Sequence, residues 1–585
     1  MSWLFGFYSK QLNNVPSISK YHPEPVSSYH NSNCIIAVGG NENLLNYQTG
    51  NNQIKFFICG LGISANADSF LCVKEWDKLL LTSSENISKQ NGHYCGVQIN
   101  DDSISLFTDP MGLRVIHIAE NNEGWFFSTR LDWILKTGAF EIDFPSFSSR
   151  WLLFNQVSTK SIVKKIINLN CGSKAYISNY KIGIKSNFWV PEKTKDITLD
   201  EFRHNLNKFI LLGAKQNKHI SLSLSGGLDS RVLLSLLINS DYKNWDCHLF
   251  KSESLMDNVI AAKILNDHNI PYRLFSPAAQ NESDKLNYLF EYIGSTYISE
   301  SAYTSQKLTH YSNLSQNDLI IDGAFGEMWR REFLTRLYLA GPKIVEGKNL
   351  TGISNAIKFN RADIFNQDTL NEMHAGINNQ LNDIIDLLPP VKEIGFGNWL
   401  DLFSLKTRLV TYMAPEQARL DNFVTSYMPY IQFTLLNDLL NMPLSLRKNH
   451  RLFNKLFYPQ SVDLTKYKLV KGNVPYPFYF NPVMKRVYSI AYSKFAPKEK
   501  NNGLDLFLEG MKEFIMDSVS SSEVRSYSPY NYENIANNIN SYYNGHSSKS
   551  DYVNWFLTFE IFRQILQKTS ISPILSKEIP TVIMS

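Results

Sequence analysis

The sequence lacks the features that would tie it to a metal centre, a disulfide framework, a membrane or nucleic acid. Its six cysteines (Cys34, Cys59, Cys72, Cys95, Cys171, Cys247) lie far apart with no CxxC pair. That spacing fits neither a zinc site nor a disulfide scaffold, and free thiols in a reducing cytosol are expected. Histidines are few, 12 in all, and none forms a metal-spaced cluster. No stretch approaches the ~18 uninterrupted apolar residues of a membrane span. Met1-Ser2-Trp3-Leu4-Phe5-Gly6 shows no basic region followed by a long apolar run, as a secretory signal would. A cytoplasmic protein is therefore expected. The formal net charge of +4 is spread thinly, without the dense basic stripe that nucleic-acid binding leaves. Repeats and low-complexity tracts are missing too.

What is present is a globular composition, 43 % hydrophobic and 19 % charged over 585 residues, rich in Tyr and Phe. At ~100–200 residues per domain this allows two to four domains. Residues 1 to about 190 read as short β segments bounded by Gly, Asn or Asp: Ile54–Cys59, Tyr94–Ile99, Ser103–Thr108, Val115–Ala119 and Trp125–Ser128. Helical patterns interrupt them near Ala65–Trp76 and Leu131–Thr137, and a hairpin is expected at Asn100-Asp101-Asp102. The texture changes near Trp189-Val190-Pro191. Strand and helix then alternate: strand His219–Leu224, helix Asp229–Asn239, strand Asp246–Phe250, helix Met256–His268, strand Tyr272–Phe275. Such alternation implies a parallel sheet wrapped by helices. Beyond residue 330 the chain reads as mostly helical.

Between the first of those strands and its helix stands Ser225-Gly226-Gly227-Leu228-Asp229-Ser230. Two glycines let backbone approach a phosphate closely and reach positive φ. Backbone N–H groups and the helix N-terminus then face the anion. Ser225 and Ser230 add hydroxyls, and Asp229 offers a carboxylate for Mg²⁺. The plain alternative is a Gly-rich turn ahead of an ordinary helix. The string has no Lys and so differs from the GxxxxGK[ST] loop. It resembles the pyrophosphate loop of the PP-loop ATP pyrophosphatases.

With that loop placed, the rest of the chain resembles the asparagine synthetase B family and its relatives, the β-lactam synthetases, carbapenam synthetases and lasso-peptide cyclases. Asp109-Pro110-Met111-Gly112-Leu113-Arg114 is similar to the family's D-R-x-G-x-K/R, and Ser128–Leu135 follows as its S-S-E-x-x-A-L-L does. Ile321-Asp322-Gly323-Ala324-Phe325-Gly326-Glu327 resembles the second phosphate-side loop, S-G-x-G-x-D-E. Met428-Pro429-Tyr430-Ile431 and Lys471-Gly472 resemble the V-P-F-L-D region and the late Lys-x-Gly. The resemblance implies an α/β chain. An N-terminal-nucleophile (Ntn) hydrolase-like αββα sandwich would span 1–190. A PP-loop ATP pyrophosphatase domain, with a parallel sheet and a largely helical C-terminal part, would span 196–585.

It also implies roles. Ser225, Gly226, Gly227, Ser230 and Gly323 would bind phosphates of ATP, and Asp229 and Glu327 would hold Mg²⁺. Adenine would lie near Leu249–Lys251, and Lys471 would stabilise the oxyanion as an amine attacks the adenylate. Asp257 resembles a family Asp but is equally a helix-start charge. In the cyclising relatives a Tyr–Glu pair serves as base. Tyr412 and Glu416 are four apart on a helix that Pro415 is expected to break. Solvated or ion-paired roles stand beside these for Glu327 (with Arg330 or Arg331), Lys471 and the Tyr412–Glu416 pair.

The departures are informative. The family's N-terminal cysteine nucleophile is replaced by Ser2, its glutamine-binding Asn-Gly-Glu by Cys59-Gly60-Leu61, and its ammonia-side Glu by Ala324. Ser2 could still serve as a nucleophile after Met removal. The resemblance with these losses implies an ATP-dependent amide ligase that adenylates a small-molecule or peptide carboxylate and passes it to an amine, without glutaminase. An ammonia-dependent asparagine synthetase and an ATP-binding pseudoenzyme are the alternatives. The oligomeric state is open, a homodimer included.

Overall fold

The computed structural model describes residues 2–571 except 49–54, 65, 83–86, 88, 101, 155, 179–180, 188, 193–196, 251–254, 276–281, 316, 331–332, 360, 458–461, 472–473, 481 and 496–501. Among the described residues, the first part of the chain forms twelve strands: β1 (Trp3–Ser9), β2 (Ser27–His30), β3 (Cys34–Gly39), β4 (Leu45–Tyr47), β5 (Phe56–Ile63), β6 (Asn91–Asn100), β7 (Ser103–Thr108), β8 (Ile116–Glu120), β9 (Gly124–Ser128), β10 (Ile166–Leu169), β11 (Ser173–Ser178) and β12 (Lys181–Ser186). They pair antiparallel into two six-stranded sheets, ordered β10-β8-β9-β1-β3-β2 and β12-β11-β7-β6-β5-β4. The expected hairpin is there, with Asn100 opposite Ser103; Asp101 lies outside the described residues.

Strand periodicity explains how the sheets stack. In β1, Leu4 and Tyr8 point to the second sheet and join Ile36, Phe57, Val97 and Phe127 between the layers. Trp3, Phe5 and Phe7 point the other way. That outer face is covered by α2 (Leu131–Leu135), α3 (Phe144–Leu152) and the C-terminal helix Ser550–Ile571, whose Phe556 and Phe559 share the cluster. The second sheet's outer face carries Trp76 and Leu80 of α1 (Val73–Thr82). Both faces being covered, β1 and β5 are buried at every position, so their sequences run apolar without alternation. Helix, sheet, sheet and helix thus form four layers. Of the six cysteines, only Cys72 is exposed.

The second part begins at α4 (Leu199–Ile210), opened by a capping box in which Thr198 and Glu201 satisfy each other's backbone N–H groups. A five-stranded parallel sheet follows: β13 (Ile220–Ser223), β14 (Trp245–Phe250), β15 (Tyr272–Phe275), β16 (Leu319–Ile321) and β17 (Thr425–Tyr427), ordered β15-β14-β13-β16-β17. Helices α5 (Leu228–Ile238) and α6 (Leu255–Asp267) follow β13 and β14. The chain leaves β13 towards β14 and β15, then crosses back to place β16 on the other side. That reversal is the topological switch point, where ligands of open parallel sheets bind beyond the carboxyl ends of the strands. A small hairpin, β18 (Leu469–Lys471) with β19 (Val474–Tyr476), completes the picture. Among the described residues, no helix is long and apolar enough to cross a membrane.

Candidate functional site at the switch point

Ser225–Ser230 leaves the carboxyl end of β13, and Asp322–Glu327 leaves that of β16, so the two loops flank the crevice. The first loop is self-braced. Ser225 N–H donates to Ser230 Oγ (3.1 Å), the two hydroxyls lie 3.1 Å apart, and Gly227 N–H donates to Ser225 Oγ (3.1 Å). Asp257, which burial holds above the usual carboxylate range, accepts the Gly226 N–H. α5 then starts at Gly227 with no side-chain cap. Its first-turn amides are therefore donors facing the crevice at the positive end of the helix dipole, an arrangement that receives anions.

Positive φ was expected of Gly226 and Gly227, and the structure corrects this: neither is left-handed, and Gly227 sits at φ −75°. Their absence of a side chain serves close approach instead. A Cβ on Gly226 would stand 2.9 Å from Asp257 Oδ1. The second loop needs glycine more strictly. A Cβ on Gly323 would meet Ser230 N at 2.6 Å, and one on Gly326 would meet the Asp229 carboxylate at 2.5 Å. Between them Phe325 is left-handed (φ 67°) and buried against Phe333, a strained turn of the sort found at ligand clamps.

Asp229 does not stand ready for a metal ion. Arg330, in the turn after α7 (Gly326–Trp329), grips it bidentately, Nε to Oδ1 at 2.8 Å and Nη2 to Oδ2 at 2.7 Å. Glu327, in the first turn of α7, makes no ion pair among the described residues; of its two alternative partners, Arg330 pairs with Asp229 and Arg331 lies outside the described residues. No group of three or more His, Cys, Asp or Glu is placed to hold a metal ion among the described residues. Tyr430 O–H donates to the Asp229 carbonyl (2.9 Å), and Trp329 Nε1–H to the Tyr430 carbonyl (2.9 Å), locking the two loops and the Met428–Ile431 segment together.

Arg231, fully buried, donates to the carbonyls of Leu464 (3.2 Å), Tyr467 (3.0 Å), Lys468 (2.9 Å) and Gly226 (3.0 Å). Val470 N–H donates to the Gly226 carbonyl (3.2 Å). The hairpin is thus strapped to the loop, and the exposed Lys471 ends β18 beside it. Gly472 lies outside the described residues. Leu249, expected near adenine, has its side chain fully buried in the core, and Lys251 lies outside the described residues.

Tyr412 and Glu416 are not partners. Tyr412 O–H donates to Glu300 Oε1, whereas Glu416 accepts from Ser299 Oγ and Arg419 Nη1, both at 2.5 Å. Nor does Pro415 break the chain: a π-helix, Leu405–Met413, runs into the α-helix Ala414–Leu420, where Pro415 falls at the opening turn. There a missing N–H costs little.

The Ser2 end of the molecule is sealed. Ser2 is fully buried and its Oγ accepts from Arg114 Nη2 (3.2 Å). Arg114 is ion-paired to Asp421, which reaches in from the second part of the chain. Against the upward push of burial, Arg114 and His93 hold the Asp421 carboxyl below its ordinary range. Burial drives the neighbouring Cys59 thiol up to about 12, so it carries no thiolate at neutral pH.

No family model matches the chain, and no curated protein does. Solved structures to which it is similar include the glutamine phosphoribosylpyrophosphate amidotransferase from B. subtilis complexed with ADP and GMP. The identity is 14 %, the TM-score 0.21, and the match covers 58 % of this chain and 79 % of that one. A second, described as the allosteric regulatory enzyme of purine biosynthesis, gives 14 % identity and a TM-score of 0.20, over 58 % of this chain and 72 % of that one. Scores this low carry no argument about fold or activity.

The contacts of Arg330 with Asp229 and of Glu300 with Tyr412 are ones the sequence does not point to. Each spans more than a hundred residues, 101 for Arg330–Asp229 and 112 for Tyr412–Glu300. The Trp-Arg-Arg run after Glu327 was the one signal that a cation stood near the second loop.

Proposed function

We propose that this chain is an ATP-dependent ligase that adenylates a carboxylate, releasing pyrophosphate, and passes the acyl group to an amine. One observation carries the reading: an uncapped helix N-terminus at the carboxyl end of the central parallel strand, at the switch point, faced by a second glycine-dependent loop. The resemblance to the asparagine synthetase B family supplies the reaction class. On this reading residues 1–190 are an Ntn-hydrolase-like domain without glutaminase, and 196–585 the synthetase domain. Its partners are a small-molecule or peptide acid and an amine.

The α5 amides and the Ser225 and Ser230 hydroxyls receive the pyrophosphate end of ATP and spread its charge over fixed donors. A substrate carboxylate oxygen then forms a bond to the α-phosphorus as the bond to the β-phosphate oxygen breaks. An amine attacks the acyl carbon and gives up a proton to solvent, AMP leaves with its bonding electrons, and Lys471 stabilises the oxyanion formed between. The resemblance also implies Mg²⁺ on Asp229 and Glu327. With Asp229 held by Arg330, the side chains as arranged do not fit a metal.

The Asp229–Arg330 pair favours a second reading, an ATP-binding protein without turnover. The test is incubation with ATP, Mg²⁺ and a small-molecule extract, measuring AMP and pyrophosphate against ADP. AMP with pyrophosphate, lost in Ser230→Ala, is the result expected; ADP with phosphate overturns the mechanism. ATP binding without AMP in extracts of several sources selects the second reading.

A further inference from the structure

Two adjoining cavities lie where the antiparallel sandwich meets the helices of the second part. The larger has room of about 40 Å³ and the smaller about 20 Å³, enough for a few water-sized atoms each; Arg150, Gln156 and Thr411 line both. Arg150 comes from α3, which Asp143 caps by accepting the Ser146 N–H. The residue is 5 % exposed. Even so, it makes no ion pair or hydrogen bond with any described residue; its one neighbour of note is the Tyr297 ring, 5.5 Å away. Its Nε is buried without a partner. A guanidinium costs several kcal/mol to desolvate, which is why buried arginines are almost always paired.

The smaller cavity repeats the imbalance. Arg361 and Arg408 line it beside Arg150. Arg361 donates one nitrogen to the Trp151 and Leu153 carbonyls and leaves Nε unpartnered. Arg408 lies against the rings of Tyr412 (4.3 Å), Phe154 (5.0 Å) and Phe333 (5.6 Å) and forms no ion pair with any described residue. Glu300 is the carboxylate in their field, and Tyr412 already donates to it. Glu416, close by, is neutralised by Arg419. Among the described residues, three guanidinium groups therefore face one engaged carboxylate around this space. Through Phe333, which packs on Phe325 at 5.0 Å, this space borders the second loop of the switch-point site.

We propose that these cavities bind a small organic oxyanion, a carboxylate or a phosphate ester, with Arg150 as its bidentate anchor and Arg408 as the second cation. Planar guanidinium forks match both anions, and a bound oxyanion supplies the counter-charge that the described residues omit. Placing the anion on the ligase's acid substrate rests on the reading above. The anion site itself does not.

The test is calorimetric titration at constant ionic strength with succinate, inorganic phosphate and neutral succinamide, on wild type, Arg150→Gln and Arg408→Gln, with ATP binding measured alongside. Saturable binding of succinate or phosphate, weakened at least tenfold by either substitution and absent for succinamide, supports the site; the tighter of the two anions names the group. ATP binding stays as in wild type in both variants. Because Arg150→Gln removes an uncompensated buried charge, its melting temperature without anions equals or exceeds that of wild type. Equal response to all three probes, unaltered anion affinity in both variants, or a lower melting temperature with unaltered affinity overturns the proposal. Anion binding without ATP binding keeps the site and rejects the ligase; ATP binding without anion binding does the reverse.

Discussion

Two serines at strand ends, Ser2 before β1 and Ser225 after β13, have opposite characters. Ser2 heads β1 and is packed away, its hydroxyl taken by Arg114 and Arg114 in turn taken by Asp421. Ser225 follows β13 and opens onto uncapped helix amides. Charged groups at the first are paired with one another, so they rigidify the contact between the two parts of the chain. At the second, the helix start carries no side-chain cap and faces the crevice. Chemistry belongs where polar groups are left unspent, and structure where they are consumed.

The sharpest way to break that comparison is steric. In Gly326→Ala the new Cβ drives into the Asp229 carboxylate, 2.5 Å away. Misplacing the loop by that much lowers ATP turnover at least ~100-fold. Wild-type turnover in this variant would show the loop plays no part. At the sealed end, Asp421→Asn leaves the Arg114 charge buried without its counter-ion, and urea denaturation should show a loss of about 3–5 kcal/mol. A loss under about 1 kcal/mol would mean the cluster is not the brace described.

How much of this was legible follows from the range of the contacts. Ser225–Ser230 could be read because its braces are local, no more than five residues apart, and because strand, turn and helix are encoded side by side. β6 and β7 could be read for the same reason, their hairpin joining residues close in sequence. Arg330 on Asp229, Glu300 on Tyr412 and Asp421 on Arg114 could not, since only the folded chain brings them together. The Tyr412–Glu416 expectation failed because each takes another partner, Glu300 for Tyr412 and Ser299 with Arg419 for Glu416.

Two smaller effects sharpen the contrast. Asp109 is fully buried and pushed up to about 6, although its carboxylate accepts N–H bonds from Met111, Leu113 and Arg114. The folded state thus binds this proton more tightly than the unfolded chain does. Stability from it is complete below the ordinary value of 3.8 and is lost as pH rises through about 6. Relative to Asp109→Asn, wild type should lose at most about 3 kcal/mol between pH 4 and pH 6.5 in denaturant titrations. A difference between the two proteins that stays flat with pH would contradict this. Smallest of all, Ser2→Ala should leave ATP turnover unchanged and cost about 1 kcal/mol, the worth of one hydrogen bond to Arg114. Turnover that disappears with the Ser2 hydroxyl would reverse the assignment of the two ends.

The most direct measurement is amide hydrogen exchange with and without ATP and Mg²⁺, at a nucleotide concentration shown by calorimetry to saturate the protein. The account predicts slowed exchange in peptides covering 225–231 and 322–327 and none in those covering 2–9. Saturated protein whose 225–231 amides exchange as fast as before would contradict it.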